Sequence, residues 1–296
     1  MTKSASAWLP GSAGELVQGV ISGCPFHLTL PVALYGRTTV VFGGESVLPW
    51  GWKARGALAD LLAYHGRIHE LSHLSFSMEN PLPPGKGMGS STVDICGVLY
   101  AAARCLGIPL SVESVARHAL AVEPTNGLFI PGIGMFDHRQ GRCLESVGSL
   151  PGMRVAVLDA GGSVDTRAFN ERADLLDLNQ RKEESIIQAL ELALRGLGLG
   201  DTAMVGRAAT LSALANQPIL PKPRLPELIE TALAGGAAGV SAAHSGTVIG
   251  ILYDMQSEQA QSGVERLLNA FACYELLFWT QTVGGGVQWR TSPLTP

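Results

Sequence analysis

The sequence predicts a protein of mixed α-helices and β-strands that is divided into two domains. The chain has 296 residues, a length that suits two ordinary domains or one large one. Apolar residues make up 46% and charged residues only 16%, which is typical of a compact globular protein with a sizeable core. Both halves contain strand-like segments and segments of helical periodicity. We place the domain boundary near residue 150, which gives domains over 1–150 and 151–296.

Strand signals in the first half precede a proline-rich segment. Residues 27–32 and 39–42 are short, β-branched or apolar, and flanked by glycine and proline, which predicts two strands. Apolar and polar residues alternate over 72–78, which predicts a third. The prolines within 80–84 then require a loop, because proline fixes φ and removes a hydrogen-bond donor.

Two helices and a long irregular segment complete the predicted first half. Apolar residues recur at near-helical spacing over 91–106, and Gly107 supplies a stop signal for that helix. A second helix is predicted over 111–122. Residues 126–152 are rich in glycine and proline, which predicts a long loop or hairpin region, and such loops are often functional.

The second half is predicted to begin with a buried strand and to continue with several helices. The strand covers 153–159 and leads through a Gly-Gly turn into a helical stretch that ends near 197. The remaining predicted elements are helices over 201–216 and 226–234, a glycine-rich segment over 235–246, and strands over 247–253 and 275–283 with a helix between them.

Charge and composition argue against several classes of protein. The net charge is −4 and the basic residues are scattered, whereas a nucleic-acid-binding surface concentrates them. No apolar run approaches the roughly 20 residues that span a bilayer, and the N-terminus lacks the apolar region of a signal peptide. The five cysteines include no CxxC pair. We therefore expect a cytoplasmic protein with free thiols and no nucleic-acid or membrane partner; a homodimer is left open.

Residues 83–92, Pro-Pro-Gly-Lys-Gly-Met-Gly-Ser-Ser-Thr, contain the most informative pattern. Three alternating glycines allow close backbone approach to a ligand, and they directly precede a predicted helix, whose first N–H groups favour phosphate. The spacing fits neither a Walker A loop nor a dinucleotide fingerprint. The alternative is a tight turn in which Ser91 and Asp94 cap the helix.

Three segments in order resemble the motifs of GHMP kinases, a family that includes galactokinase, homoserine kinase and mevalonate kinase. Residues 84–91 resemble the central P-x-x-x-G-[LM]-G-S-S motif. Residues 10–19, Pro-Gly-Ser-Ala-Gly-Glu-Leu-Val-Gln-Gly, resemble the N-terminal motif, and residues 238–247 the third, glycine-rich motif. Three segments are similar to those of the L-threonine kinase branch, which feeds cobalamin side-chain synthesis. They are Gly-Glu-Leu-x-Gln-Gly, Ala-His-Ser-Gly and Phe-Asp-His-Arg.

This resemblance implies a two-domain α+β fold, with a half like ribosomal protein S5 followed by a ferredoxin-like half and the active site between them. It also implies ATP and Mg²⁺ as cofactors and an alcohol as phosphate acceptor, with L-threonine predicted and homoserine as the alternative. Ser91 and Glu123 are the predicted magnesium ligands, with Ser91 also in a catalytic role. The predicted nucleotide-binding residues are Pro84, Gly85, Lys86, Gly87, Met88, Gly89, Ser90 and Ser91.

The catalytic base and the acceptor contacts are less sharply indicated. Asp137 is the nearest downstream carboxylate and the candidate base, with turn capping or pairing to an arginine as the alternative. Because phosphoryl transfer depends mainly on positioning and charge neutralisation, a base is not essential. The candidate acceptor-binding residues include a carboxylate suited to an ammonium group and a guanidinium suited to a carboxylate, and they are Glu15, Gln18, Arg139, Asp159 and His244.

Residues 69–73, His-Glu-Leu-Ser-His, fit the H-E-x-x-H zinc motif and present a remote alternative, a zinc hydrolase through His69, Glu70 and His73. That motif needs a stable helix through both histidines. The strand-like alternation over 72–78 and the nearby proline at position 81 argue against one. We therefore expect these residues to lie in a solvated loop.

Overall fold

The computed structural model describes residues 3–43 and 51–289. Within these ranges, nine strands form one sheet whose neighbouring strands pair antiparallel. The strands are β1 (Lys3–Ile21), β2 (Cys24–Phe42), β3 (Leu74–Glu79), β4 (Gly134–Phe136), β5 (Leu144–Ser146), β6 (Met153–Asp159), β7 (Gly239–Ala242), β8 (Val248–Asp254) and β9 (Glu275–Gln281). Their order across the sheet is β5-β4-β2-β1-β7-β8-β6-β9, with β3 paired to β2.

Helices cover this sheet and contribute much of the buried apolar core. They are α1 (Trp52–Tyr64), α2 (Ser90–Leu106), α3 (Val112–Leu120), α4 (Thr166–Asn170), α5 (Leu175–Arg181), α6 (Glu183–Leu199), α7 (Thr202–Ala215), α8 (Leu225–Ala234) and α9 (Ala260–Ala270). Short 3₁₀ turns lie at Ile68–His73 and Gly127–Phe129. The combination of helices with an antiparallel sheet confirms the predicted α+β class.

The hairpin of β1 and β2 is longer than the sequence indicated. The predicted strands 27–32 and 39–42 are parts of the 19-residue β2, and its equally long partner β1 was not predicted. Register shifts interrupt the pairing after Pro10, Ser12 and Glu15, where irregular strand geometry accommodates proline and glycine residues. These residues are poor strand formers, which is why the periodicity of β1 is hidden.

Helix α2 packs on the face of this hairpin and fixes the position of the glycine-rich loop before it. Ile95, Val98 and Leu99 are fully buried on it. The helix ends at Gly107, whose φ of 67° and N–H bond to the carbonyl of Ala103 confirm the predicted stop. Helix α1, which packs on α2, was missed.

From β6 to β9 the chain follows a β-α-β-β-α-β pattern, and the strand order β7-β8-β6-β9 is ferredoxin-like, as predicted. The predicted helical stretch ending near 197 is three separate helices, α4, α5 and α6. The predicted glycine-rich segment contains β7, and the predicted loop or hairpin region over 126–152 contains the antiparallel pair β4 and β5. The boundary near residue 150 stays a prediction and falls between β5 and β6.

The two parts of the sheet meet where β1 pairs with β7, through the single residue pair Glu15 and Ala242. Gly14 permits this approach. Its φ is 82°, and a Cβ added there would lie 2.5 Å from the carbonyl carbon of Ala242. The first and third sequence motifs are therefore in direct contact.

None of the described helices is both long and apolar enough to cross a bilayer. All five cysteines are free, which agrees with the absence of a CxxC pair.

Candidate active site

The glycine-rich loop between β3 and α2 adopts a conformation that requires its glycines. Gly85, Gly87 and Gly89 have φ values of 73°, 84° and 76°, in the left-handed region that other residues rarely occupy. A Cβ added to Gly89 would lie 2.5 Å from Cδ1 of Leu128 and 2.9 Å from Nδ2 of Asn126. The alternation seen in the sequence thus corresponds to three obligatory turns of the backbone.

Carbonyl groups of this loop are anchored to residues from both halves of the chain. The carbonyl of Met88 accepts from the N–H of Ser12 at 2.9 Å, and that of Lys86 accepts from the N–H of Thr247 at 3.0 Å. The carbonyl of Gly85 accepts from the N–H of Val164 at 3.0 Å. In a trans peptide the next N–H points opposite to the carbonyl. The N–H groups after these carbonyls therefore point away from the anchors, and the loop itself lines a cavity.

Helix α2 starts immediately after the loop with Gly89 as its N-cap and no side-chain cap. Neither Ser91 nor Asp94 performs the capping role that was the alternative. Asp94 instead accepts a hydrogen bond from Nδ2 of Asn80 at 2.8 Å, and the same amide contacts Oγ of Ser90 at 3.2 Å. The first N–H groups of α2, with the positive end of its dipole, are available for an anionic ligand.

Ser91 and Glu123, the predicted magnesium ligands, are brought together. The hydroxyl of Ser91 donates a hydrogen bond to Oε1 of Glu123. Nζ of Lys53 lies 2.6 Å from Oε2 of the same carboxylate. Mg²⁺ prefers oxygen ligands and keeps several waters and phosphate oxygens, so a hydroxyl and a carboxylate beside the glycine-rich loop fit it.

One cavity of about 470 Å³ joins the loop to a second region, which we call the acceptor side because it contains the predicted acceptor contacts Glu15 and His244. The loop side is lined by residues 83–85 and 87–92, together with Lys53 and Glu123. The acceptor side is lined by buried or half-buried polar side chains, which are Glu15, His27, His138, Asn170 and His244. The cavity is thus large enough for a nucleotide tail and a small polar acceptor.

Glu15 is held on β1 in a setting that disfavours its charge. Burial raises its pKa to about 8, although a hydrogen bond with Thr29 acts in the opposite direction. Nδ1 of His27 lies 3.8 Å from Oε1 of Glu15. Burial lowers the pKa of His27 well below its ordinary value, and the nearby His138 and His244 lower it further. Near pH 7 the contact of Glu15 with His27 is therefore between neutral groups and is not an ion pair.

The other two histidines are likewise held neutral. Burial lowers the pKa of His138 to about 4, although Asp137 and a hydrogen bond with Asn170 act to raise it. Burial also lowers the pKa of His244 well below its ordinary value, with nearby cationic groups adding to the effect. This part of the cavity thus offers many atoms that can accept hydrogen bonds and few charged groups.

Gln18, predicted as an acceptor contact, lies one step behind the cavity and orients His244. Its Nε2 donates to the carbonyl of Ala242 at 3.1 Å, and its Oε1 lies 2.7 Å from Nδ1 of His244. Nζ of Lys182 donates to the backbone carbonyl of Gln18 at 3.1 Å. Burial lowers the pKa of this lysine to about 7.

Asp137, the predicted base, is not brought into the cavity. It is fully buried, and its Oδ1 accepts from the N–H groups of Arg139 and Gln140 at 3.0 Å each. Its Oδ2 accepts from the backbone and the guanidinium of Arg142. Burial raises its pKa, but these hydrogen bonds outweigh that effect and lower it overall. The carboxylate caps a turn, which was the alternative interpretation.

Two predicted acceptor contacts also lie outside the cavity lining. The exposed Arg139 donates from its guanidinium to the carbonyl of Asn170 at 3.0 Å. Asp159 is buried behind the glycine-rich loop, where it accepts hydrogen bonds from Nζ of Lys86 and Oγ1 of Thr247. Burial raises its pKa, but these partners outweigh that effect and lower it overall. Asp159 therefore holds Lys86, which is not one of the residues that line the cavity.

The His-Glu-Leu-Ser-His segment does not form a metal site. It lies in the 3₁₀ turn Ile68–His73, so residues four apart do not share a face as they do on an α-helix. His69 and His73 are exposed, and Glu70 pairs with Arg67 at 2.8 Å. Among the described residues, the group with metal-ligating geometry is a different one, His27 with His138 and His244.

Several cavity residues were missed from the sequence. His27 lies inside a predicted strand, and Lys53 lies in a helix that was not predicted. Asn170 follows the glycine turn, far from any motif. His138 could have been predicted, since it belongs to the Phe-Asp-His-Arg segment on which part of the resemblance rests.

Comparison with known proteins decides the family. The family model for the GHMP kinases N terminal domain matches residues 53–137, and that for the GHMP kinases C terminal domain matches residues 186–270. An L-threonine kinase from Citrobacter freundii is 30% identical over 252 residues, covering 84% of this chain and 86% of that protein. The chain is a GHMP kinase. An L-threonine kinase from Salmonella typhimurium is 28% identical over 84% of this kinase and 83% of the relative.

Solved structures share the fold of this kinase at low sequence identity. Homoserine kinase from Cytophaga hutchinsonii has a TM-score of 0.69 at 15% identity, over 97% of each chain. Mevalonate diphosphate decarboxylase from Staphylococcus aureus has a TM-score of 0.73 at 14% identity, over 97% of this chain and 98% of the other. The structure of MDDEF in complex with MVAPP, AMPPCP and magnesium has a TM-score of 0.71 at 13% identity, over 99% of this chain and 100% of the other. The predicted two-domain GHMP fold and ATP-dependent kinase class are confirmed.

Proposed function

We propose that this kinase transfers the γ-phosphate of ATP to the hydroxyl of L-threonine and forms O-phospho-L-threonine. The observation that carries the proposal is the joint cavity, in which the glycine-rich loop and the Ser91–Glu123 pair face a polar acceptor side that contains Glu15. Two relatives named L-threonine kinase, matched over most of their length, support the choice of acceptor.

The loop side supplies binding and charge neutralisation. Backbone N–H groups of residues 85–91 would hold the phosphates, and the start of α2 adds its partial positive charge. Ser91 and Glu123 would hold Mg²⁺, which neutralises developing charge on the phosphates when bound. Lys53 lines the same side and contributes a further positive charge. In this proposal Asp137 plays no part in the reaction, because its carboxylate is engaged in the turn.

The acceptor side suits a small, polar, zwitterionic molecule rather than an apolar alcohol. Glu15 and three neutral imidazoles present acceptor atoms in a buried setting, and leaving such atoms unpartnered is costly. An apolar acceptor would satisfy none of them. We also propose, from the motif resemblance and the free thiols, that the reaction occurs in the cytoplasm and feeds cobalamin side-chain synthesis.

The test is an ADP-release assay with L-threonine, L-serine, L-homoserine and mevalonate, with the product identified by mass spectrometry. We expect the highest kcat/KM with L-threonine and a product of the mass of O-phospho-L-threonine. Saturable turnover of homoserine, with no turnover of threonine, would identify homoserine as the acceptor in place of threonine. Acceptor-independent ADP release alone would remove the proposal.

Ser91→Ala and Glu123→Gln test the magnesium assignment in the same assay. We expect kcat to fall by about 100-fold in each, since a displaced ion misplaces the transferred phosphate. Ser77→Ala and Glu113→Gln, which change exposed residues outside the cavity lining, serve as matched controls with unchanged kcat. Full kcat in both site variants would contradict the assignment of Ser91 and Glu123 as magnesium ligands.

A further inference from the structure

Three imidazoles from three separate elements converge on the acceptor side. His27 lies on β2, His138 follows β4, and His244 follows β7. The ring centroid of His27 lies 3.8 Å from that of His138 and 4.2 Å from that of His244. The centroids of His138 and His244 are 5.0 Å apart. One ligand atom from each residue lies within 4.8 Å of the others. No sequence motif connects these residues, so their convergence is a property of the fold.

Four of their six ring nitrogens are buried and lack partners among the described residues. Both ring nitrogens of His27, Nδ1 of His138 and Nε2 of His244 have no hydrogen bond, and neither has Oε2 of the adjacent Glu15. Burying a polar atom unpaired carries the full desolvation penalty of that atom, so a cluster of them calls for a ligand. The ligand must satisfy several converging atoms at once.

The tautomer of His244 can be assigned from its surroundings. Gln18 donates from Nε2 to the carbonyl of Ala242, so its Oε1 must accept from Nδ1 of His244. The unpartnered Nε2 of His244 therefore carries a lone pair, the form in which imidazole binds a metal. An outer hydrogen bond that orients a ligating histidine is a regular feature of metal sites, and Asn170 bonds His138 in a similar way.

We propose that His27, His138 and His244 bind a divalent transition metal ion of the zinc class, with Glu15 as the fourth ligand. Three imidazole nitrogens and one carboxylate oxygen form a recognised tetrahedral set. The 3.8 Å between Nδ1 of His27 and Oε1 of Glu15 is close to the roughly 3.3 Å expected between neighbouring ligands of tetrahedral zinc. This site is separate from Ser91 and Glu123, whose oxygens suit the harder Mg²⁺.

Binding requires a small rearrangement. The rings of His27 and His138 are stacked with an interplanar angle of 8°, whereas a metal lies in the plane of each ring that binds it. One of the two rings must therefore turn when the ion enters. Both rings line the adjoining cavity.

Zinc content and affinity of tag-free protein test the proposal. The protein is stripped with a chelator, dialysed against zinc and analysed by mass spectrometry of metals, and zinc is then titrated in competition with a chromophoric chelator. We expect one tightly held zinc per chain, and visible absorption bands of tetrahedral geometry when Co²⁺ replaces it. His138→Gln and His244→Gln should lose the stoichiometric ion, and Gln18→Met should weaken it about 10–100-fold.

The double variant His69→Ala, His73→Ala is the matched control, because it removes two exposed histidines outside the cluster. It should keep the zinc. Circular dichroism of each variant shows whether it is folded, and a variant that is not folded is replaced by His27→Gln. Wild-type protein that retains no zinc, or cluster variants that retain it, would overturn the proposal.

The measurement contains neither ATP nor an amino acid, so its result does not depend on the proposed kinase substrate. A protein that phosphorylates threonine but binds no zinc would show that the imidazoles serve the amino acid directly. A protein that binds zinc but does not phosphorylate threonine would leave the metal site in place and remove the acceptor assignment.

Discussion

Gln18 fixes the ring of His244, since its side-chain amide bonds the carbonyl of Ala242 on one side and Nδ1 of His244, 2.7 Å away, on the other. This arrangement links the first sequence motif to the third through one side chain. It also explains why a residue predicted to touch the acceptor lies one step behind it.

Gln18→Met should weaken acceptor binding without affecting the nucleotide. Methionine keeps the volume but removes the acceptor atom for Nδ1 of His244, and a lost hydrogen bond of this kind costs about 1 kcal/mol. We expect a roughly fivefold to tenfold rise in KM for the acceptor and an unchanged KM for ATP. Steady-state kinetics with each substrate varied in turn measure both. A rise in KM for ATP alone would contradict the role of Gln18 described above.

Gly89 and Gly107 flank helix α2, and both have positive φ values, of 76° and 67°. Gly107→Ala should cost about 1–2 kcal/mol of stability from backbone strain alone, because a Cβ there meets nothing within 4 Å. Gly89→Ala adds contacts with Leu128 and Asn126, and should cost more and raise KM for ATP. Urea unfolding measures the stability of both variants, and steady-state kinetics measure their KM for ATP. Equal effects of the two variants on ATP would argue against the loop as the phosphate site.

Lys53 lies in the cavity beside the carboxylate of Glu123. Lys53→Met removes a positive charge from the side where the phosphates are proposed to bind, so we expect KM for ATP to rise about tenfold or more. Lys53→Arg retains the charge and should retain most of the affinity. Isothermal titration with ATP and magnesium checks this, and equal affinities of the two variants would show that the charge of Lys53 is not used.

Lys182 gives the stability a pH dependence of known sign. Its folded pKa of about 7 lies below the ordinary 10.5, so between these values the unfolded chain holds a proton that the folded chain releases. The free energy of unfolding should therefore rise with pH across this window, by up to about 1.4 kcal/mol per unit from this group. Below pH 7 the penalty of burying the charge is present in full.

Lys182→Met should flatten that rise, measured as urea unfolding at several values between pH 7 and 9. Two further groups titrate in this range in both proteins: Lys222, whose pKa burial lowers to about 8, adds to the rise, and Glu15, whose pKa burial raises to about 8, opposes it below that pH. The difference in slope between the variant and the wild type therefore isolates Lys182. Arg181→Met, at an exposed neighbouring position, should keep the wild-type slope. A slope in Lys182→Met as steep as that of the wild type would mean that the lysine stays charged in the folded protein.

The sequence predicted the features that depend on local chemistry. The left-handed turns at Gly85, Gly87 and Gly89 follow from glycine alternation, and the end of α2 follows from Gly107. Ser91 and Glu123 were paired by resemblance, and the structure places them in contact.

What the sequence did not predict depends on long-range packing. Strand β1 is hidden by Pro10 and its glycines, and its pairing with β2 becomes evident only in the folded hairpin. His27, His138 and His244 are widely separated along the chain, so no local pattern indicates that their rings meet. Asp137 showed the opposite problem. A carboxylate at a suggestive position is fully used by the neighbouring backbone.

The anchoring of the glycine-rich loop has a consequence for engineering. Ser12 holds it from the first part of the chain, while Val164 and Thr247 hold it from the second. A fragment cut at residue 150 would carry the complete motif yet lack two of these three anchors. The glycine-rich loop is thus not a portable module, and grafting or truncation must preserve segments that are distant in sequence.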